Sequence, residues 1–170
     1  MKERKVSINV SLDAGTSCTF AKIKGGGWFE KVLQNLEKYS STGGSLELKY
    51  ILLEGINDNE AEINSFISIA TKLTKQVLLS FDTNKIGKKF SEYYLKMISY
   101  FIINAKKANL SMQVIYMTVD SEQAGQVRHL HEKIQKSAFL RRVIFEKVKV
   151  FIPKNIKESI KKWLFSLKIV

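Results

Sequence analysis

The sequence predicts an α/β fold, a partial (β/α) barrel of about four parallel βα units followed by a basic, mainly helical C-terminal tail. Three observations carry that expectation. Apolar, β-branched runs begin near residues 6, 46, 76 and 111, and a helical pattern follows each. Their spacing, roughly 30–40 residues, is what parallel strands joined by right-handed crossover helices require. Each run also stops in polar residues, and parallel α/β folds bind ligands where their strands reach the carboxyl edge. A full eight-unit barrel takes about 250 residues, so four units in 170 residues amount to half of one.

Val6–Leu12 is short and β-branched, and reads as the first strand. A polar, Gly-containing loop is expected from there to Gly27. Trp28–Tyr39 is then helical, with Trp28, Phe29, Val32, Leu33 and Leu36 on one face. Ser40–Ser45, containing Gly43 and Gly44, is a stop and turn. Leu46–Leu53 is the second strand, with Leu46, Leu48, Tyr50 and Leu52 alternating against their neighbours. Gly55–Asn59 breaks it. Asn59 and Glu62 then resemble a capping box with Asn in place of Ser or Thr. The helix they open carries Ile63, Phe66, Ile67, Ala70 and Leu73 on one side.

Gln76–Phe81 is the third strand. Ser91 caps a long helix whose inward residues include Tyr94, Leu95, Ile98, Phe101, Ile102 and Ala105. Asn109 suits the left-handed end of that helix. Met112–Val119 is expected as the fourth strand. Gln126–Ser137 is helical, and Val143–Ile152 either continues it or forms a strand before Pro153. Ile156–Leu167 is amphipathic, with Ile156, Ile160, Trp163, Leu164 and Leu167 opposite Lys157, Lys161 and Lys162.

The charge is uneven. Net charge is +12, and residues 121–170 hold 12 Lys or Arg against 4 Glu. This divides the chain into a nearly balanced body, 1–120, and a basic extension, 121–170. The extension is expected either to be a solvated face or to meet something anionic: a membrane surface or an acidic partner. Nucleic acid is not the expected partner. No secretory signal pattern follows Met1, and no run is long and apolar enough to span a bilayer. The single cysteine, Cys18, can form no internal disulfide and fits a reducing cytoplasm.

The common catalytic motifs are absent: there is no P-loop, no GxSxG and no HExxH. His129 and His131 lie two apart and would not share a helical face. Gly25-Gly26-Gly27 before the Trp28 helix is either a phosphate cradle or a flexible loop. The strand ends offer more. Ser11 and Asp13 close the first strand; Glu54, Asn57 and Asp58 the second; Ser80, Asp82 and Asn84 the third; Thr118 and Asp120 the fourth. Hydroxyls, carboxylates and amides converging on one rim can hydrogen-bond a ribose or an amino-acid zwitterion. The same residue types also make turns and helix caps.

The ordered series VSLDAGT, then Lys22-Ile23-Lys24-Gly25, FEKVLQNLEKY and LELKYILLEGINDN before an acidic helix, resembles the later half of a radical S-adenosylmethionine (radical SAM) enzyme. The resemblance covers residues 6–84. It implies a partial or full (β/α) barrel and a [4Fe–4S] cluster that cleaves S-adenosylmethionine at the strands' carboxyl ends. It places Ser11, Asp13, Leu52, Leu53 and Asn57 toward the cofactor, and Ser80 and Asp82 toward substrate. The family's CxxxCxxC motif is absent from this sequence. The expectation is therefore a C-terminal fragment that shares the cofactor rim and is inactive alone. Its cluster would come from a missing N-terminal half-barrel. The alternative is a non-catalytic nucleoside-binding or interaction module. A half barrel would also leave the first strand's outer edge unpaired, calling for that partner or for self-association.

Overall fold

The computed structural model describes residues 6–149, with side chains described to Ser137 apart from Lys85 and Thr118. Four strands, β1 (Ser7–Ser11), β2 (Ser45–Leu52), β3 (Gln76–Phe81) and β4 (Ser111–Val114), form one sheet in that order. All three pairings are parallel. The connections carry α1 (Ser17–Lys24), α2 (Phe29–Ser41), α3 (Glu60–Leu73) and α4 (Glu92–Lys107), and α5 (Ser121–Lys149) follows β4. The expected α/β fold with four parallel strands is therefore the one observed.

Strand alternation sorts the sheet into two faces. Leu46, Leu48, Tyr50 and Leu52 of β2 are buried on the helix side. There Tyr50 packs its ring 4.7 Å from that of Phe66 on α3 and 5.3 Å from that of Phe101 on α4. Val77, Leu79 and Phe81 of β3 lie in register beside Leu48, Tyr50 and Leu52 and share this layer. Ile63, Phe66, Ala70, Ile98, Phe101 and Ile102 supply the helical half of the core. Ring pairs at these separations are favourable beyond their burial. The opposite face carries Asn9 and Ser11 of β1, then Glu47, Lys49 and Ile51 of β2, then Gln76, Leu78 and Ser80 of β3. That face is mixed in polarity, which is why β2 alternates so clearly.

Three boundaries differ from expectation. The segment expected to be loop up to Gly27 contains α1. Its signals are a Thr16 side chain accepting from the Thr19 N–H and Gly25 in the left-handed region at φ 73°, an N-cap and a C-terminal glycine of ordinary type. Eight mixed residues gave no visible apolar period. The fourth strand ends at Val114 rather than Val119, and Tyr116–Thr118 is a 3-10 turn. Ile115 donates its N–H to the Leu79 oxygen of β3 at 2.8 Å, and Met117 beyond it is 93 % exposed. An apolar run without alternation resembles a strand in sequence whether or not it pairs. Finally, α5 starts at Ser121, not Gln126. Asp120 and Gln123 form a reciprocal box, each accepting the other's main-chain N–H at 2.9 and 3.2 Å.

The expectations at Asn59, Ser91 and Asn109 hold. Asn59 and Ser91 accept from the N–H three residues on, and Asn109 sits at φ 57°. The chain divides into two compact units, Met1–Val127 and Arg128–Val170, so the division falls inside α5. Residues 128–149 of the second unit continue α5, and Val143–Lys149 is helical rather than strand. The amphipathic stretch Ile156–Leu167 lies outside the described residues. Among the described residues, no helix is long and apolar enough to cross a membrane.

Candidate functional site at the carboxyl rim

Because the strands are parallel, β1 to β4 all deliver their ends to one edge. The connections at that edge are held by side chains rather than by apolar packing alone. Asp13 is at the centre. It is 1 % exposed and sits at φ 58°, a left-handed conformation uncommon outside glycine but tolerated by Asp. Its Oδ1 accepts the Ile51 N–H at 2.8 Å, and its Oδ2 meets Lys24 Nζ at 2.6 Å. The carboxylate therefore links the end of β1 to the end of β2 and to the last turn of α1.

Asn57 does the equivalent work from the β2–α3 turn and is fully buried. Its Nδ2 donates to the main-chain oxygens of Asp13 and Ile51, at 2.7 and 2.8 Å, and its Oδ1 accepts the Leu53 N–H at 2.7 Å. The Tyr50 hydroxyl donates to the Asn57 main-chain oxygen at 2.7 Å. Gly55 turns the chain at φ 73°, and its N–H is received by Asp58 Oδ1 at 2.7 Å. Burial raises the Asp58 carboxyl above the usual range, with that N–H opposing it. Burial likewise pushes the Tyr50 hydroxyl well above its ordinary value, aided by the carboxylates of Glu62, Asp13 and Asp58. Tyr50 is therefore a neutral donor at any physiological pH.

Glu62 is a third anchor that the sequence reading placed only as half of a capping box. Asn59 accepts the Glu62 N–H as expected, but the Glu62 carboxylate turns away from Asn59. It accepts the Gly15 N–H at 2.8 Å and the Thr16 hydroxyl at 2.5 Å. The β1–α1 connection is thereby clamped onto α3. The only sequence trace of this clamp is the absence of a side chain at Gly15, since a Cβ there would come within 2.7 Å of the Phe66 nitrogen. On the other flank, Asp120 accepts the Gly87 N–H at 2.9 Å, tying the β3–α4 loop to the start of α5. Main-chain N–H groups of Gln123 and Gly87 hold its carboxyl below the usual range.

The residues expected at the cofactor and substrate separate into two sets. Asp13 and Asn57 spend their polar atoms on the chain itself. Leu52 is fully buried on the helix side. Ser11, by contrast, is half-exposed on the opposite face beside Lys49, and Leu53 is half-exposed just beyond β2. Ser80 lies on that same face, buried, in register with Ile51. Asp82 is half-exposed and accepts the Asn84 N–H at 2.9 Å. Thr118 and Asp120 follow β4 rather than close it, because the strand ends earlier. Gly25 serves as the left-handed end of α1. A depression of about 200 Å³, lined by residues including Gly44, Ser45, Thr74 and Gln76, lies at the amino ends of β2 and β3, the opposite edge from these groups.

A [4Fe–4S] cluster needs several thiolates, and the sequence holds one cysteine, Cys18, exposed on α1. Among the described residues no three His, Cys, Asp or Glu groups are gathered to hold a metal. The residues present do not fit a cluster. The Ser11 hydroxyl has no hydrogen-bond partner among the described residues, and an apolar Leu53 stands just beyond the neighbouring strand end.

A single parallel sheet backed by helices, with its polar groups at the carboxyl edge, defines a partial (β/α) barrel. The chain is similar to a solved radical SAM methyltransferase from Sphaerobacter thermophilus, with a TM-score of 0.51 and 17 % identity, over 67 % of this chain and 35 % of that one. It thus spans about a third of that protein's length. No protein-family profile and no curated protein matches it.

Proposed function

We propose that this chain contributes part of the S-adenosylmethionine and substrate rim of a radical SAM-type barrel, and that its cluster comes from cysteines outside this sequence. The reading is supported by the position of Ser11, Leu53, Ser80 and Asp82 at or just beyond the carboxyl ends of three neighbouring parallel strands, in a sheet similar in fold to a radical SAM methyltransferase. In this reading the Ser11 hydroxyl hydrogen-bonds the ribose or methionyl part of the cofactor, and Leu53 lies against its apolar surface. Ser80 and Asp82 face substrate. Asp13 and Asn57 are positioning residues: they fix the main chain of the β1 and β2 ends, and so the places of Ser11 and Leu53. Leu52 supports the same strand end from the helix layer. S-adenosylmethionine, when bound beside a cluster, supplies the radical chemistry; this chain's own residues bind and orient.

Titration calorimetry with S-adenosylhomocysteine tests the reading without any cluster. Measurable binding is expected, and Ser11→Ala should weaken it by about 1 kcal/mol, roughly fivefold, for one lost hydrogen bond. Absence of binding to the wild-type chain would count against a nucleoside rim. Binding indifferent to Ser11→Ala would remove Ser11 from it.

A further inference from the structure

Among the described residues β1 is the edge strand of the sheet, and none of them covers its outer side. The main-chain bonds at its two ends fix its phase. Ser45 donates its N–H to the Val6 oxygen, and Leu12 donates its N–H to the Lys49 oxygen. In a parallel ladder this alternation turns the main-chain groups of Val6, Ile8, Val10 and Leu12 toward β2. Those of Ser7, Asn9 and Ser11 turn outward. None of these three has a main-chain partner among the described residues. The strand, SINVS, contains no charge, proline or bulge, the devices that ordinarily keep edges from pairing. Its apolar members Ile8 and Val10, which face the helix layer, are only half-buried.

We infer that the outer edge of β1 pairs with β1 of a second copy of this chain, antiparallel about a twofold axis through Asn9. The register is self-complementary. Asn9 faces Asn9 of the second copy and Ser7 faces Ser11, so every outward N–H meets an outward C=O. On the helix side Ile8 meets Val10 of the second copy, and this happens twice by symmetry. Such β-branched pairs between non-hydrogen-bonded positions approach closely and cover the half-exposed apolar groups. No like charges oppose one another along the strand. The body around the strand is close to neutral, residues 6–127 holding 13 Lys against 12 Asp or Glu, so the chain's net charge of +12 lies almost entirely outside it. The pairing rests on the edge alone and not on the cofactor reading. A polypeptide that continued the sheet beyond β1 would compete for the same groups.

Sedimentation velocity of the full chain over a roughly hundredfold dilution series tests the pairing. The expected result is a monomer–dimer equilibrium that Asn9→Pro shifts fully to monomer. That substitution deletes an outward N–H and leaves the β1–β2 ladder intact, so circular dichroism and the melting temperature should stay close to wild type. Should Asn9→Pro misfold, Asn9→Lys sets two like charges face to face, and its dimer should weaken most at low salt. Amide exchange supplies an independent reading: Ser7, Asn9 and Ser11 should gain about tenfold or more protection on concentration, while Ile8 and Val10 stay protected throughout. A wild-type chain that remains monomeric at the highest concentration overturns the inference. So does a dimer unaffected by the folded Asn9 variants, or one without added protection at those three amides.

Discussion

Gly15→Ala is expected to destabilise the chain by about 3 kcal/mol or more, enough to unfold a large fraction of it at 37 °C. The β1–α1 connection crosses α3 with no room for a side chain. An added Cβ would lie 2.6 Å from the Ser65 Cβ and 2.7 Å from the Phe66 nitrogen, and would also strike the Glu62 main-chain oxygen. Two of these atoms are helix backbone and cannot rotate away. Relief requires the connection to lift from α3, which breaks the Gly15 N–H bond to Glu62 and the Thr16 bond beside it. The Glu62 carboxylate, 7 % exposed, would then be stranded. Urea denaturation read by circular dichroism measures the loss. A variant within about 0.5 kcal/mol of wild type, the range of an ordinary surface change, would show that the clamp does not form.

Asn57→Ala is expected to cost about 3–5 kcal/mol by a different route. Its side chain satisfies the Asp13 and Ile51 oxygens and the Leu53 N–H, and each buried group left unpaired costs about 1–3 kcal/mol. The methyl that replaces the amide also leaves a void, although water can enter from the rim and restore part of the loss. Asn57→Asp should fare no better, because a carboxylate cannot donate to two carbonyls and would sit near buried Asp13 and Asp58. Thermal melts of both variants should fall well below wild type. The two ends that Asn57 joins carry Ser11 and Leu53, so any folded fraction should also bind S-adenosylhomocysteine less well.

The parts of the fold legible in the sequence were those with a period. β2 alternates cleanly because its two faces meet different surroundings, and α3 and α4 show a helical stripe because one side of each is core. Their caps, Asn59 and Ser91, followed known local chemistry. What escaped had no period. α1 is too short to show one, and only Thr16 and Gly25 marked its ends. Residues 115–119 look like strand because they are mostly apolar, yet the pairing with β3 ends at Val114 and the chain turns into a 3-10 turn at Tyr116–Thr118.

The site was legible in kind but not in division of labour. Polar residues at strand ends were visible, and their convergence follows from parallel topology. Which of them spend their polar atoms on the chain depends on contacts across 38 to 47 positions, such as Asp13 to Ile51 and Gly15 to Glu62. No local pattern encodes those. Leu52 and Leu53 show the limit most simply: adjacent in sequence, they fall on opposite sides of a strand end, one fully buried against the helices and one half-exposed.

In the proposed function this chain supplies the rim, and the cluster is held by cysteines elsewhere. Anaerobic reconstitution of the purified chain with iron and sulfide, followed by dithionite and S-adenosylmethionine, tests it most directly. The expected result is no [4Fe–4S] absorption and no 5′-deoxyadenosine, with S-adenosylhomocysteine still bound by the same preparation. A chain that assembled a full cluster through Cys18 and cleaved the cofactor unaided would contradict it.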